Sequence, residues 1–313
     1  MHNLFRCHVD NVLAIAMIIL SALAISLSDA LIKLNSADTS IGQLYVLRSL
    51  FALPLLLLIM MARGHCQRPE GLGWLICRSL LMAVMWAMVY AALPALSLSV
   101  VAAGVYTFPL FMALFMACSR KGRWSPRTLL AVLTGFGGVL VMLRPGVERV
   151  SWQMLLPLSA AACYALAALV TRYRCRQEHA LMLSLGLNLA FLLTGLGMLL
   201  LFNWWPLQAD LVARHAFIFS GWHATNISHW VLAAALGGLI VIASITMALA
   251  YQRGQPLVIA TFDYSYLVFV VLWGVVLLGE HPDFFTLTGM LLIMGAGLLT
   301  LLPARARRQG TRG

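Results

Sequence analysis

Asp29, Arg48 and Asp263 are ionisable residues set inside long apolar stretches of this sequence, and Tyr90, Tyr106, Tyr164 and Tyr264 accompany them at similar depth. A charge in hydrocarbon is costly unless it faces a bundle interior or a water-filled cavity, so these residues are candidates for a polar pathway. Arg48 lies about 10 Å inside its stretch and keeps its proton, so it needs a carboxylate, backbone carbonyls or an anionic ligand. Asp29 is the obvious partner, because a short connection joins the two stretches. An Asp29–Arg48 lock and a pair that contacts a solute both remain open. Lys33, one turn beyond Asp29, is placed to pair with it or to snorkel outward. Asp263 adjoins Tyr264, and Tyr266 follows three residues later. Proton coupling, recognition of a cationic group and a hydrogen bond to a neighbouring helix are its three readings. Trp86 stands one turn before Tyr90. Aromatic faces carrying one polar atom suit a planar or amphiphilic organic solute.

Other chemistries find no support. The histidines fall in loops or at the ends of apolar stretches, and no HExxH, GxSxG or phosphate-cradling glycine loop occurs. The six cysteines form no CxxC pair, so no metal site, catalytic residue or cofactor is expected. ATP drive lacks its motif for the same reason. A membrane-embedded transferase would need an intramembrane nucleophile and base, which are missing.

The elements that position these residues are membrane spans. The 313 residues are 62% hydrophobic and only 10% charged, with a mean hydropathy of +0.92. So few charges cannot solvate a soluble domain, and the bilayer is the solvent. Ten apolar segments are read at 12–33, 41–61, 74–93, 98–117, 128–143, 152–171, 181–202, 230–251, 256–278 and 284–302. The fold class is therefore all-α and polytopic. The halves repeat: Ala102 through Thr107 aligns with Ala260 through Ser265 at one constant offset, which pairs Tyr106 with Tyr264. Repeats are placed at 12–143 and 152–302, and five spans each force the copies into opposite orientations. An inverted repeat around a central site is the architecture of a secondary transporter. Arg48 aligns with Asn188 and Asp29 with Ala167, so the second half lacks both charges. Pro109 aligns with Leu267, so a bend in the fourth span is not expected in the ninth.

The net charge of +11 is distributed by side. With the N-terminus inside, Arg63, Arg120, Lys121, Arg123, Arg172, Arg174, Arg176, Arg305, Arg307 and Arg308 are cytoplasmic. Arg144, Arg149 and Arg214 remain outside. Positive-inside bias thus orients both termini to the cytoplasm of a cell inner (plasma) membrane, and the basic clusters contact anionic lipid and not nucleic acid. Glycines at 135, 137 and 138, and at 289, 295 and 297, let the fifth and tenth spans pack closely together or against a second copy as a homodimer. Residues 203–229, rich in tryptophan and phenylalanine, are read as an interfacial belt. The Asn226-Ile227-Ser228 sequon there is read as accidental.

On these residues the chain resembles the drug/metabolite transporter superfamily, in its ten-helix branch with two EamA repeats. The resemblance rests on Asp29 through Lys33 (Asp-Ala-Leu-Ile-Lys) and Arg48. It extends to Thr107 through Phe111 (Thr-Phe-Pro-Leu-Phe), Arg144-Pro145-Gly146 and Leu278-Gly279-Glu280. It covers residues 12–302 and implies a carrier with a central cavity and peripheral fifth and tenth helices. The first half departs from it, with Ser119-Arg120-Lys121-Gly122 where the second has Gly279-Glu280. The implied function is secondary transport, by export or exchange, of a small organic metabolite, coupled to protons or a counter-transported solute. The pattern of Asp29, Lys33 and Arg48 looks more like the S-adenosylmethionine and riboflavin carriers, which makes uptake of such a vitamin or nucleoside-like cofactor the alternative. A non-transporting membrane scaffold is the reading from another class.

Cysteine-accessibility labelling tests the orientation. Single cysteines introduced near positions 148 and 212 are expected to react from outside intact cells, and ones near 123 and 310 only after permeabilisation.

Overall fold

The computed structural model describes residues 2–64, 69–118, 126–143, 152–205, 207–253 and 256–301. Among them every regular element is a helix. The first half comprises α1 (His2–Leu34), α2 (Ile41–Ala62), α3 (Leu72–Ala92), α4 (Leu98–Val105), α5 (Phe108–Cys118) and α6 (Pro126–Leu143). A short 3-10 turn at Trp152–Met154 leads into α7 (Leu155–Arg174), α8 (Ala180–Trp204), α9 (Ala209–Arg214) and α10 (Ala216–Phe219). The chain then forms α11 (Ile227–Arg253), α12 (Pro256–Asp263), α13 (Ser265–Leu278) and α14 (Phe284–Leu301). Among the described residues, seven stretches are long and apolar enough to cross a bilayer, one of them the α4–α5 pair, and Leu129–Met142, Ser265–Leu278 and Phe284–Leu299 are shorter apolar helices. The chain is a polytopic all-α membrane protein. Large apolar side chains such as Leu58 (64% exposed), Leu133 (63%) and Leu291 (62%) point outward, where only lipid satisfies them.

Side-chain caps start several helices where the sequence offers a hydroxyl or amide. Ser40 accepts from the Gln43 N–H at α2, and Ser97 from the Val100 N–H at α4. At α11, Asn226 accepts from the His229 N–H and the Ser228 hydroxyl. The glycosylation-like triplet is thus a helix cap. The loop before it is tied to α2: Gln43 bonds His223 reciprocally, and the Ser40 hydroxyl donates to the Gly221 carbonyl. Trp204 and Trp205 stay exposed, and Phe217 is buried in the core.

The packing pairs helices between the halves. α1 packs on α11 and α13, α3 on α7 and α8, α2 on α8 and α11, and α6 on α14. The broken span α4–α5 packs on α7, and α4 also meets α13. Exchanging the nth span of one half for the nth span of the other maps this set of pairs onto itself. The α6–α14 contact is the most extensive, and its backbones nearly touch. A Cβ at Gly138 would stand 2.9 Å from the Gly289 carbonyl, and one at Gly289 would stand 2.6 Å from the Gly138 carbonyl.

The break in the fourth span is duplicated, against the expectation drawn from Pro109. The helix is interrupted at Tyr106 and Thr107, and again at Tyr264. At the first break the Thr107 N–H bonds the Gly104 carbonyl three residues back. At the second the Leu267 N–H bonds the Tyr264 carbonyl, again three residues back. The second break forms without a proline, so a proline is not required for one.

Each end of the bundle carries a glutamate that accepts from the start of a helix in the other half. Glu280 follows Gly279, whose φ of 65° favours glycine, and accepts from the Leu98 N–H at 2.8 Å. Its second oxygen pairs with Lys33 at 2.5 Å, and Lys33 also donates to the Leu96 carbonyl. Glu178 accepts from the Gly71 N–H at the opposite end. The motif at Arg144–Gly146, the departure at Ser119–Gly122, Cys66 and the basic C-terminal tail lie outside the described residues.

The glycine contact yields a stability test. Gly289→Leu is expected to cost about 1–3 kcal/mol by overpacking and to lower the thermal unfolding midpoint in detergent. Gly295→Ala, with nothing within 4 Å of its Cβ position, is expected to leave that midpoint unchanged.

Candidate functional site

The two helix breaks meet inside the bundle. Tyr106 and Tyr264, one from each break, have ring centroids 5.3 Å apart, and Tyr106 stacks on Tyr266 at 5.1 Å and 12°. The Tyr106 hydroxyl donates to the Asp263 carbonyl at 3.2 Å. One half thus satisfies a backbone acceptor at the break in the other. Gly297 of α14 makes room for the Tyr264 hydroxyl, which any side chain there would displace.

A cavity of about 380 Å³ starts at this crossing. It runs from Ile25, Tyr106 and Tyr266 in mid-bundle to Thr171, Ala180 and Met247 near the helix ends opposite the Lys33–Glu280 clasp. Trp86, Tyr106, Tyr164 and Tyr266 supply its aromatic faces, and Met82, Met85 and Met247 much of the remaining wall. Phe108 backs Tyr164 at 4.4 Å. Its polar lining is sparse: Arg78, Ser184, Ser244, Thr171 and Asp263. The Asp263 carboxylate has no hydrogen-bond or ion-pair partner among the described residues.

Toward the clasp, a buried polar layer closes the cavity. Arg48 is 1% exposed and donates through Nη1 to the Tyr90 hydroxyl at 2.9 Å. Its guanidinium lies 4.3 Å from the Phe191 ring and within 6 Å of the Tyr45 and Tyr90 rings. Such cation–π contacts offset part of its desolvation. Asp29, also 1% exposed, accepts from the Tyr266 hydroxyl at 2.7 Å. The Trp273 indole N–H donates to Ser26 beside it in sequence. Arg48 Nε and Nη2 and one Asp29 oxygen are buried without a partner among the described residues.

Of the eight residues read from the sequence as a pathway, Trp86, Tyr106, Tyr164 and Asp263 line the cavity. Asp29, Arg48, Tyr90 and Tyr264 are not among its lining residues. No ion pair joins Asp29 to Arg48 or to Lys33. The reason is competition between helices: α13 supplies Tyr266 to Asp29, α3 and α8 enclose Arg48 in rings, and Glu280 takes Lys33. Asn188, the repeat counterpart of Arg48, is fully buried on the facing helix, and its carbonyl accepts from the Ser49 hydroxyl.

Sequence reasoning missed Arg78, Ser184 and Ser244, and passed over Tyr266. The intramembrane-charge criterion that singled out Arg48 applies equally to Arg78, about one and a half turns inside α3. The serines carried no signal, because a lone hydroxyl in a span bonds its own helix backbone as readily as it faces a cavity.

Residues 12–144 match the EamA-like transporter family. Over 192 residues, the chain is 26% identical to the riboflavin transporter of Brucella anthropi, an overlap of 61% of this chain and 63% of that protein. The chain thus spans less than two thirds of this curated relative. A solved crystal structure superposes on 94% of this chain and 99% of its own with a TM-score of 0.57 and 20% identity, a likeness of fold alone.

The polar layer predicts a pattern of energetic coupling. Tyr266→Phe is expected to cost about 1.5–3 kcal/mol, because it strands a buried carboxylate. In a double-mutant cycle read by thermal unfolding in detergent, Tyr266→Phe and Asp29→Asn are expected to couple by about 0.5–3 kcal/mol, more strongly than Arg48→Met and Asp29→Asn.

Proposed function

We propose that this chain, a member of the drug/metabolite transporter superfamily through its EamA-like repeat, is a secondary transporter of a small, flat organic metabolite. The observation that carries this reading is the cavity at the crossing of two broken helices, one from each half, lined by four aromatic side chains and an unpartnered carboxylate. Broken helices meeting at a central cavity are the usual construction of a carrier's binding site, because only there is irregular backbone tolerated at membrane depth.

With residues 12–143 and 152–302 as inverted repeats and both termini in the cytoplasm, the cavity faces the cytoplasm and the Lys33–Glu280 clasp closes the outer side. Transport then alternates by rocking one repeat against the other, opening the clasp as the inner ends close. For export or exchange, this inward-facing cavity is the state that takes up its solute from the cytoplasm; for uptake it is the state that releases it. Asp263, a carboxylate on the cavity wall, is the candidate for coupling to protons or a counter-transported solute. A second reading, uptake of a riboflavin-like vitamin, draws on the similarity to the Brucella anthropi transporter and on the aromatic walls. A non-transporting scaffold has no use for an unpartnered intramembrane carboxylate, and this disfavours it.

Metabolite profiling of cells with and without the protein, followed by flux into proteoliposomes, tests the proposal. Trp86→Ala and Tyr106→Ala are each expected to slow transport about threefold to tenfold at unchanged expression, from the loss of one aromatic contact. Asp263→Asn is expected to abolish coupling or transport in a protein that still folds and inserts. A chain that moves no metabolite, with these variants indistinguishable from the parent, would overturn it.

A further inference from the structure

The cavity carries two charges of opposite sign, and their placement bears on the solute. Asp263 stands at the mid-bundle break, with its carbonyl engaged by Tyr106 and its carboxylate unpartnered among the described residues. Arg78 stands on α3 nearer the open end. Its Nη1 donates to the Leu183 carbonyl at 3.0 Å, and its Nε has no partner among the described residues. The two are not joined in an ion pair. Tyr164 lies on the wall between them, within electrostatic reach of both. Trp86 and the stacked Tyr106–Tyr266 pair complete an aromatic slot along the same cavity.

Leaving a carboxylate and a guanidinium apart in a low-dielectric wall is costly unless a ligand satisfies both. Arg78 is also poorly explained as a topology signal. A snorkelling arginine spends its donors on the interface, whereas this one bonds the Leu183 carbonyl in the first turn of α8 and lines the cavity. Resting on the transport reading above, we propose that the solute is dipolar: an aromatic or heteroaromatic molecule bearing a cationic group that docks on Asp263 and an anionic group that docks on Arg78. The rings grip the flat part between them, and the two charges fix its orientation. Neutral flat molecules then fit the slot but leave both wall charges unpaired, so they bind weakly.

A matched indole series tests this on the full chain, purified and reconstituted in proteoliposomes. The probes are L-tryptophan (both charges), tryptamine (cation), indole-3-propionate (anion) and indole-3-propionamide (neutral), with riboflavin as a neutral flat comparator. L-tryptophan is expected to bind about tenfold or more tighter than either singly charged probe, and the neutral amide weakest. Asp263→Asn is expected to erase the advantage of tryptophan over indole-3-propionate. Arg78→Gln is expected to erase its advantage over tryptamine. Asp263→Glu and Arg78→Lys should each restore part of it, which a purely structural role would not produce. Equal affinities across the series, or variants that weaken all probes alike, would overturn the dipolar assignment. Transport of riboflavin or the neutral amide in preference to tryptophan would overturn it too, while leaving the carrier reading intact. Failure of every probe and of every profiled metabolite to move would sink the carrier reading itself.

Discussion

A polar group inside hydrocarbon has no water to fall back on, so each one must find a partner from another part of the chain or face a wet cavity. This constraint organises the whole bundle. Arg48 of α2 donates to Tyr90 of α3 and lies against Phe191 of α8. Asp29 of α1 accepts from Tyr266 of α13, and the Asp263 carbonyl at the second break accepts from Tyr106 at the first. Each bond joins helices distant in sequence, so satisfying the polar groups also fixes which helices are neighbours. Asp263 and Arg78 stand on the wall of a cavity, whereas Arg48 Nε and Nη2 and one Asp29 oxygen stay buried in the polar layer without a partner among the described residues.

The helix breaks follow from the same constraint. Interrupting a span releases backbone groups that lipid cannot solvate, so both breaks are turned inward and laid against each other. The tyrosines at the breaks serve as packing and as hydrogen-bond donors. Their rings fill the space that irregular backbone leaves, and a hydroxyl reaches the carbonyl of the other half. Gly297 on α14 removes a side chain where Tyr264 needs room, which links a peripheral helix to the centre.

The ends of the bundle are held differently from its middle. Glu280 and Glu178 each bind a backbone N–H at a helix start in the opposite half, and Lys33 joins the first of them. The Lys33 and Glu280 side chains are only 15% and 18% exposed, so the pair is partly shielded from water. These contacts register one half against the other. The glycine-lined α6–α14 contact, with backbones at van der Waals distance, is a fixed seam by comparison.

Much of this architecture is set by local features of the chain. Spans are decided by runs of apolar residues long enough to cross hydrocarbon, a property of consecutive residues, and the helices observed at 41–62, 180–204 and 284–301 lie within a few residues of those read from hydropathy. The match of Tyr106 to Tyr264 is read by comparing the two halves of the sequence, and the depth of Asp263 and the glycine clusters of the fifth and tenth spans are equally local signals. Partner choice is not. Asp29, Lys33 and Arg48 sit close together in sequence, which invites pairing among them. In the folded bundle Tyr266, Glu280 and Tyr90 reach them first, from helices up to 247 residues away in sequence from the first span's own polar groups. The second break carries no local signal, because no proline marks it in the sequence. Arg78 became visible as a wall residue only when α3 was set beside α7 and α8, since a helix face has no inside until its neighbours are placed.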